Sequence, residues 1–498
     1  MAKSSDQANS RYLEVERKFE VVESTVSPSF EGLSSVLRVE RSPAQQLDAV
    51  YFDTPAHDLA AHHITLRRRT GGSDAGWHLK LPAGPDARTE VRAPLGDESD
   101  ADAIPEELLD VVLAIVRDRP VHPVARIATS RTVDLLYGHD GAPIAEFCDD
   151  QVTAKAGQDG DEQRWREWEL ELAEGVGRDL LDRLTNRLLD AGATPAGHGS
   201  KLARVLESAG AGDVEEFEPP SDPVHRAVAE QVDQLLVWDR AVRADVYDSV
   251  HQMRVTTRKI RSLLQESEGA FGISDDAWVL DELRQLAAIL GVARDAEVLA
   301  ERYERTLDEL PPELVRGPVR ERLVDGAKKH YTAGLRRSLI AMRSKRYFQL
   351  LDALEGLVAI EPPPAPPGEE PAQLTIDSAY KRIRKAAKAA AEAADTDKDE
   401  ALHRIRKGAK RLRYTAAATG DGKVSDRAKT IQTLLGDHQD SVVSRTHLRR
   451  QAEAANAAGE DTFTYGLLYQ VEDDLARRSR DQLEDALKKL DRSVRKAH

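Results

Sequence analysis

Glu14 and Glu16 stand one residue apart in residues 12–22, YLEVERKFEVV, with Lys18 two positions further on. In an extended chain alternate residues share a face, so these three side chains point one way. Leu13, Val15, Phe19 and Val21 point the other. Carboxylates so spaced offer the hard oxygen atoms that Mg2+ and Mn2+ prefer, and cationic side chains beside them can hold phosphate oxygens. The segregation recurs downstream. Arg67 and Arg69 share a face, His78 and Lys80 oppose Trp77, Leu79 and Leu81, and Arg88, Glu90 and Arg92 align. Glu167, Glu169 and Glu171 oppose Trp168, Leu170 and Leu172. A single such strand reads as a half-exposed sheet with solvated charges. Five of them, carrying both signs, suggest a barrel with its polar faces inward, and that lumen suits a polyanion with divalent cations.

A second kind of charge pattern follows. His251, Arg254, Arg258 and Arg261 fall at i, i+3, i+7 and i+10, one stripe of a helix. His403, Arg406, Lys410 and Arg413 repeat the spacing at an offset of 152 residues. The span from His403 to Arg413 holds six Lys/Arg and no acid. The Arg and Lys of these stripes have no acid at i±4, so like charges repel within each helix. That cost must be offset by acids of a neighbouring helix or by a bound anion, and the duplication favours the anion. Lys381, Arg384, Lys385 and Lys388 form a further one-sided basic face. LGVARD at 290–295 and LGDHQD at 435–440 also match, which extends the internal similarity to a duplicated helical unit.

The elements that carry these residues divide the chain. Residues 207–223 mix Gly, Pro and acids without periodicity and mark a boundary, and the Pro-rich residues 361–372 read as an extended connector. Period-2 segments dominate before 209, and helical spacing dominates after 223. The expected organisation is an α+β domain at 11–208, a linker at 209–223, and an all-α domain at 224–498. The 498 residues carry 71 Lys+Arg against 87 Asp+Glu, a net charge of −16. An acidic total speaks against a general nucleic-acid binder, and 5% aromatics leave little for base stacking. Cys148, the one cysteine, excludes an intramolecular disulfide and a Cys-ligated zinc cluster. Residues 1–10 have no apolar core and no apolar run is long enough to span a membrane, so a cytoplasmic setting is expected. His57, His62 and His63 read as loop histidines, and the chain has no P-loop.

Residues 14–18, E-V-E-R-K, resemble the E-x-E-x-K opening of the CYTH, or triphosphate tunnel metalloenzyme, family. YFDTP (51–55), LRRR (66–69), HLKLP (78–82), RTE (88–90), WELEL (168–172) and SKLAR (200–204) follow in the family's order. The resemblance implies an eight-stranded antiparallel tunnel that binds a triphosphate end. It implies metal ligation by Glu14, Glu16, Glu169 and Glu171, with Asp149 of the Asp149-Asp150 pair a further ligand. Lys18, Arg67, Arg69, Lys80, Arg131 and Lys201 would grip phosphate, and Glu90 would organise these bases or approach the metal. Arg126 differs in strand parity from Arg131 and is set aside. Glu14, Glu16 and Lys18 would carry the catalytic work with Mg2+ or Mn2+.

The helical stripes resemble the CHAD domain, which commonly follows CYTH. That likeness implies two pseudo-symmetric four-helix bundles whose basic groove binds inorganic polyphosphate. The groove residues would be His251, Arg254, Arg258, Lys259, Arg261, His403, Arg406, Lys410, Arg411 and Arg413. Arg294 and His438 occupy non-equivalent places in the LG…D segments. The resulting expectation is a metal-dependent hydrolase of inorganic triphosphate with a polyphosphate-binding module. The alternatives are a tunnel enzyme for an organic triphosphate (an adenylate cyclase, or a thiamine or nucleoside triphosphatase) and a non-catalytic polyphosphate scaffold.

Overall fold

Eight antiparallel strands close on themselves in the computed structural model. The structure describes residues 11–96, 103–157, 160–210, 220, 222–266, 271, 277–359, 376–394, 397–418 and 420–496. The closed strands are β1 (Arg11–Val21), β3 (Gln45–Asp53), β4 (Thr65–Thr70), β5 (Gly76–Pro82), β6 (Ala87–Ala93), β7 (His122–Tyr137), β8 (Pro143–Ala156) and β9 (Glu162–Leu172). Their order is β1-β6-β5-β4-β3-β7-β8-β9, and β9 returns to β1 through pairs such as Glu16 with Glu171. The short β2 (Arg38–Arg41) pairs with β7, and β10 (Thr194–Pro195) pairs with β1.

The barrel is apolar outside and polar inside because helices cover its outer face. Phe19, Phe147, Trp168 and Leu170 pack under α3 (Arg178–Asp190) through Leu180, Leu181, Leu184 and Leu188. Leu66, Trp77, Leu79 and Val91 pack under α2 (Glu106–Val116) through Leu108, Val112 and Ile115, and the four-residue α1 (Asp58–Ala61) contributes Leu59. Each such side chain contributes roughly 1.5–3 kcal/mol when fully buried. The strand register therefore fixes which charges enter the lumen, since a one-residue slip would turn them out.

One end of the lumen is stopped by α4 (Lys201–Ser208). Ser200 caps it, its hydroxyl accepting the Ala203 N–H at 3.1 Å. Leu202, Val205 and Leu206 then pack on the inward-facing Ala49, Tyr51, Ala125, Ile127, Val152, Ala154 and Trp165.

Beyond residue 222 the described residues form nine α-helices: α5 (Pro223–Arg243), α6 (Ser249–Glu266), α7 (Trp278–Glu309), α8 (Gly326–Met342), α9 (Lys345–Ala359), α10 (Ile376–Glu392), α11 (Lys398–Ala418), α12 (Gly422–Ala457) and α13 (Phe463–Val494). None is long and apolar enough to cross a membrane.

The chain groups into two compact units, residues 1–286 with 339–362, and residues 287–338 with 363–498. Most of the expected linker, at 211–219 and 221, and all of the Pro-rich connector at 361–372 lie outside the described residues. In the first unit the barrel's α2 packs on α5, and α5 packs on α9. Arg243 reaches Asp110 at 3.1 Å, and the buried Arg117 guanidinium forms ion pairs with Asp352 and Glu355. Arg117 adopts φ 59°, a left-handed conformation that costs a non-glycine residue about 1–3 kcal/mol and is held by these partners. In the second unit α10, α11, α12 and α13 share one core built on Ile383, Ile405, Leu412, Ile431, Leu435 and Leu490.

Candidate active site

The inward faces enclose a cavity of about 420 Å³ lined by eight Lys/Arg and seven Asp/Glu side chains. Glu14, Glu16 and Lys18 enter from β1, Arg67 and Arg69 from β4, Lys80 from β5, Glu90 from β6, and Arg131 from β7. Glu169 and Glu171 enter from β9, and Lys201 from the first turn of α4. All eleven face one lumen, as their strand parity requires.

Asp149 does not face it, which corrects the expected ligand set. Its carboxylate turns to the opposite face of β8, where it accepts from Ser27 Oγ at 2.6 Å and from Arg166 Nε at 2.8 Å. Its neighbour Asp150 is the inward residue. It is fully buried, accepting from Arg131 Nε at 2.8 Å and lying 2.9 Å from Lys201 Nζ. Arg126 also points out, to Asp48.

The lumen is polarised. At its acidic pole Glu14, Glu16, Glu146 and Glu171 gather. Burial, with Glu14 and then Glu16 beside it, pushes Glu171 up to about 8 despite Lys80. Burial also raises Glu14, against the pull of Lys80 at 2.5 Å. Glu16 behaves oppositely. Burial disfavours its charge, but Lys18 and Lys80 outweigh that and bring it down to about 2. At the basic pole Arg67, Arg69 and Arg131 approach one another. Burial and the other two cations push Arg69 down to about 9. Arg67 donates to the Tyr51 hydroxyl at 3.2 Å, yet its Nε and that of Arg69 are buried with no hydrogen-bond partner. An unsatisfied buried donor costs about 1–3 kcal/mol, more when charged, so this pole is poised to take an anion.

Lys201 forms a third centre. Its buried ammonium lies 2.7 Å from Glu167, 2.8 Å from Glu169 and 2.9 Å from Asp150. Burial would strip its charge, but the three carboxylates hold its pKa well above the usual lysine value. Those three acids have oxygens within 4.8 Å of one another and could themselves hold a cation. The lysine already neutralises them, however, whereas Glu171 is held up to about 8 by burial and by the neighbouring Glu14 and Glu16. The donor set at Glu14, Glu16, Glu171 and Glu146 therefore fits Mg2+ or Mn2+ better.

Asp150, Glu146, Glu167, Tyr51, Arg88 and Arg92 were not assigned from sequence. For Arg88, Arg92 and Glu167 a signal existed, because each alternates with an assigned residue on its strand. For Asp150 and Glu146 none did, since the inward face of β8 reads Glu146, Cys148, Asp150, Val152 and Ala154, with no continuous polarity. Tyr51 lies within YFDTP, and the resemblance implies no role for it.

The helical stripes fall on α6 in the first unit and on α11 in the second. His251, Arg254 and Arg261 are half-buried and Arg258 and Lys259 exposed, while His403, Arg406, Lys410, Arg411 and Arg413 are all half-buried. Lys259 and Arg411 sit about 120° around the helix from the middle of their stripes, at 100° per residue. Arg406 lies along Gly436 of α12, where a Cβ would come within 3.4 Å of its guanidinium.

Comparison with known proteins finds two successive domain families in the chain. The model of the CYTH domain matches residues 13–194, and that of the CHAD domain matches residues 226–449. An uncharacterized protein of Mycobacterium tuberculosis is 68% identical over 505 aligned positions, covering 98% of each chain. Among solved structures, PptA from Streptomyces chartreusis is 19% identical with a TM-score of 0.44, over 54% of this chain and 100% of that one. The CHAD domain from the plant Ricinus communis is 21% identical with a TM-score of 0.41, over 55% of this chain and 93% of that one.

Proposed function

Because the chain belongs to the family that joins a CYTH domain to a following CHAD domain, we propose that its tunnel hydrolyses inorganic triphosphate with a divalent metal. One observation carries this reading. A single polar lumen holds carboxylates that need a cation at one pole and buried guanidinium donors that need an anion at the other. A phosphate chain bearing a divalent cation meets both demands. The lining includes four apolar or aromatic side chains, Leu47, Tyr51, Val133 and Leu135, and the Tyr51 hydroxyl is taken by Arg67. That composition favours a substrate that is phosphate along its whole length.

Glu14, Glu16 and Glu171 would hold the metal, with Glu146 beside them. When bound, the cation neutralises charge on phosphate oxygens and polarises water, so positioning and electrostatics dominate the reaction. Arg67, Arg69 and Arg131 would bind and orient the phosphates. Lys18 and Lys80, each beside an acid and facing the lumen, would bridge the two poles. Lys201 would keep Glu169 ionised and reach the innermost phosphate. Preorganised cations of this kind need no rearrangement as charge develops.

In the helical region we infer inorganic polyphosphate binding by the α6 and α11 stripes, with the 152-residue offset reflecting a duplicated bundle. A lone cysteine fits a reducing, cytoplasmic setting. A substrate panel tests the tunnel reading. Inorganic triphosphate, ATP and thiamine triphosphate are each incubated with and without Mg2+ or Mn2+, and phosphate, pyrophosphate and cyclic AMP are measured. Phosphate release from triphosphate that stops with a chelator is expected. Cyclic AMP from ATP, or no turnover of any substrate, would replace this reading with the cyclase or scaffold one.

A further inference from the structure

The β4–β5 hairpin, residues 71–75, brings an acidic side chain to the basic pole. Asp74 pairs with Arg69, and both Ser73 and Asp74 line the cavity. The hairpin lies at the end of the barrel away from α4, because β4 runs from Thr65, beside Lys80, toward the Gln45 end of β3. With α4 stopping the other end, a ligand passes the hairpin to reach the lumen.

Three features hold the hairpin in place. The buried His78 is wedged between it and β6, its Nε2 3.0 Å from the Asp74 carbonyl oxygen and its Nδ1 2.8 Å from Glu90 Oε1. Gly71 and Gly72 both take φ near +80°, and a Cβ on Gly71 would lie 2.1 Å from the Gln46 carbonyl oxygen. Only glycine allows that approach to β3. Asp74 is thus a fixed carboxylate, about one-third exposed, at the mouth of a tunnel whose inner donors await phosphate.

Resting on the triphosphatase reading, we infer that Asp74 sets the chain length the tunnel accepts. A triphosphate places its phosphates within the lumen. A longer polyphosphate must run outward past Asp74, so its next phosphates meet a carboxylate of like charge that also occupies Arg69. Asp74 is a specificity-determining residue and takes no part in bond cleavage. Two like charges near contact at a protein surface repel strongly enough to change affinity by a factor of ten or more.

The test compares kcat/KM for inorganic triphosphate and for polyphosphate of several tens of units in the full-length protein, Asp74→Asn and Asp74→Glu, with melting curves to confirm folding. In Asp74→Asn the long-to-short ratio is expected to rise about tenfold or more, while Asp74→Glu keeps the ratio of the parent. A ratio within twofold of the parent in Asp74→Asn overturns the inference, as does an equal rise in Asp74→Glu, which would trace the effect to hairpin shape. If the parent itself releases no phosphate from triphosphate, the functional reading fails instead, and the two failures are distinguishable.

Discussion

Replacing Lys201 with Met removes the ammonium that lies within 3 Å of Asp150, Glu167 and Glu169. Taking one partner from a buried ion pair typically costs 3–5 kcal/mol, because the remaining charge stays buried without compensation. Arg131 still pairs with Asp150 and Glu169, and Trp165 Nε1 still donates to Glu167 at 2.5 Å. The loss should therefore fall at the lower end, about 3 kcal/mol. Urea unfolding at pH 7, followed by tryptophan fluorescence, to which Trp77, Trp165 and Trp168 of the barrel contribute beside Trp238 and Trp278, reads it without the ionic screening of guanidinium. The pH dependence supplies the sharper check. Burial opposes the charge of Glu169, but Lys201, Lys18 and Arg131 hold its pKa well below the usual 4.5. Its contribution is present above the unfolded value and fades as pH falls through the depressed folded value. In Lys201→Met that folded value rises, so the deficit against the parent shrinks as pH drops from 7 toward 4. Coincident urea midpoints at pH 7, or a deficit that stays constant on acidification, would refute the electrostatic account of this centre.

Other consequences are directly measurable. Glu14→Gln and Glu16→Gln should each lower metal-dependent phosphate release by about 10²–10³, the scale of removing a preorganised electrostatic group, and Glu16→Gln should also lower the melting temperature, because it leaves the Lys18 ammonium without its nearest carboxylate. Since Glu171 is protonated below about 8, metal binding should release a proton, and apparent metal affinity should fall up to about tenfold per pH unit below that value. Titration calorimetry in buffers of different ionisation enthalpy reads this, and Glu171→Gln should flatten the dependence. Replacing Arg254, Arg258, Arg406 and Lys410 with Ala together should weaken polyphosphate binding and flatten its dependence on salt, while triphosphate turnover stays unchanged. Point variants suit this test better than truncation after residue 210, because Asp352, Glu355 and Arg243 complete ion pairs with Arg117 and Asp110 in the barrel's own unit.

The legible part of the fold was the part where polarity alternates. β1 announces itself because Glu14, Glu16 and Lys18 interleave with Val15 and Phe19, and a barrel wrapped in helices requires that inversion. Nine of the eleven inward residues lie on strands whose phase is plain in the alternation, whereas Arg131 follows only from the family resemblance and Lys201 from its motif. β8 carried no such phase. Asp149 and Asp150 differ by one position, hydrophobic residues occur on both faces, and only the pairing of Asp150 with Arg131 across the sheet decides between them. The hidden pairing of Lys201 with three acids joins residues from β8, β9 and α4, and no local pattern encodes a meeting of that kind. The unit boundary was equally hidden. So was the pairing of Arg117 with Asp352 and Glu355 inside the first unit, because its unusual backbone and distant partners carry no signature in sequence.

The stopper formed by α4 has a kinetic meaning. A lumen closed at one end allows no through-traffic, so whatever goes in must back out along the same path. Under the proposed hydrolysis, the fragment nearer the opening departs first, and the inner fragment waits behind it. The inner product then governs when the next substrate is admitted, so the tunnel should show product inhibition dominated by the piece lodged beside Lys201. Departure in the reverse order of arrival is built into the plug, whatever the metal and however fast the bond breaks.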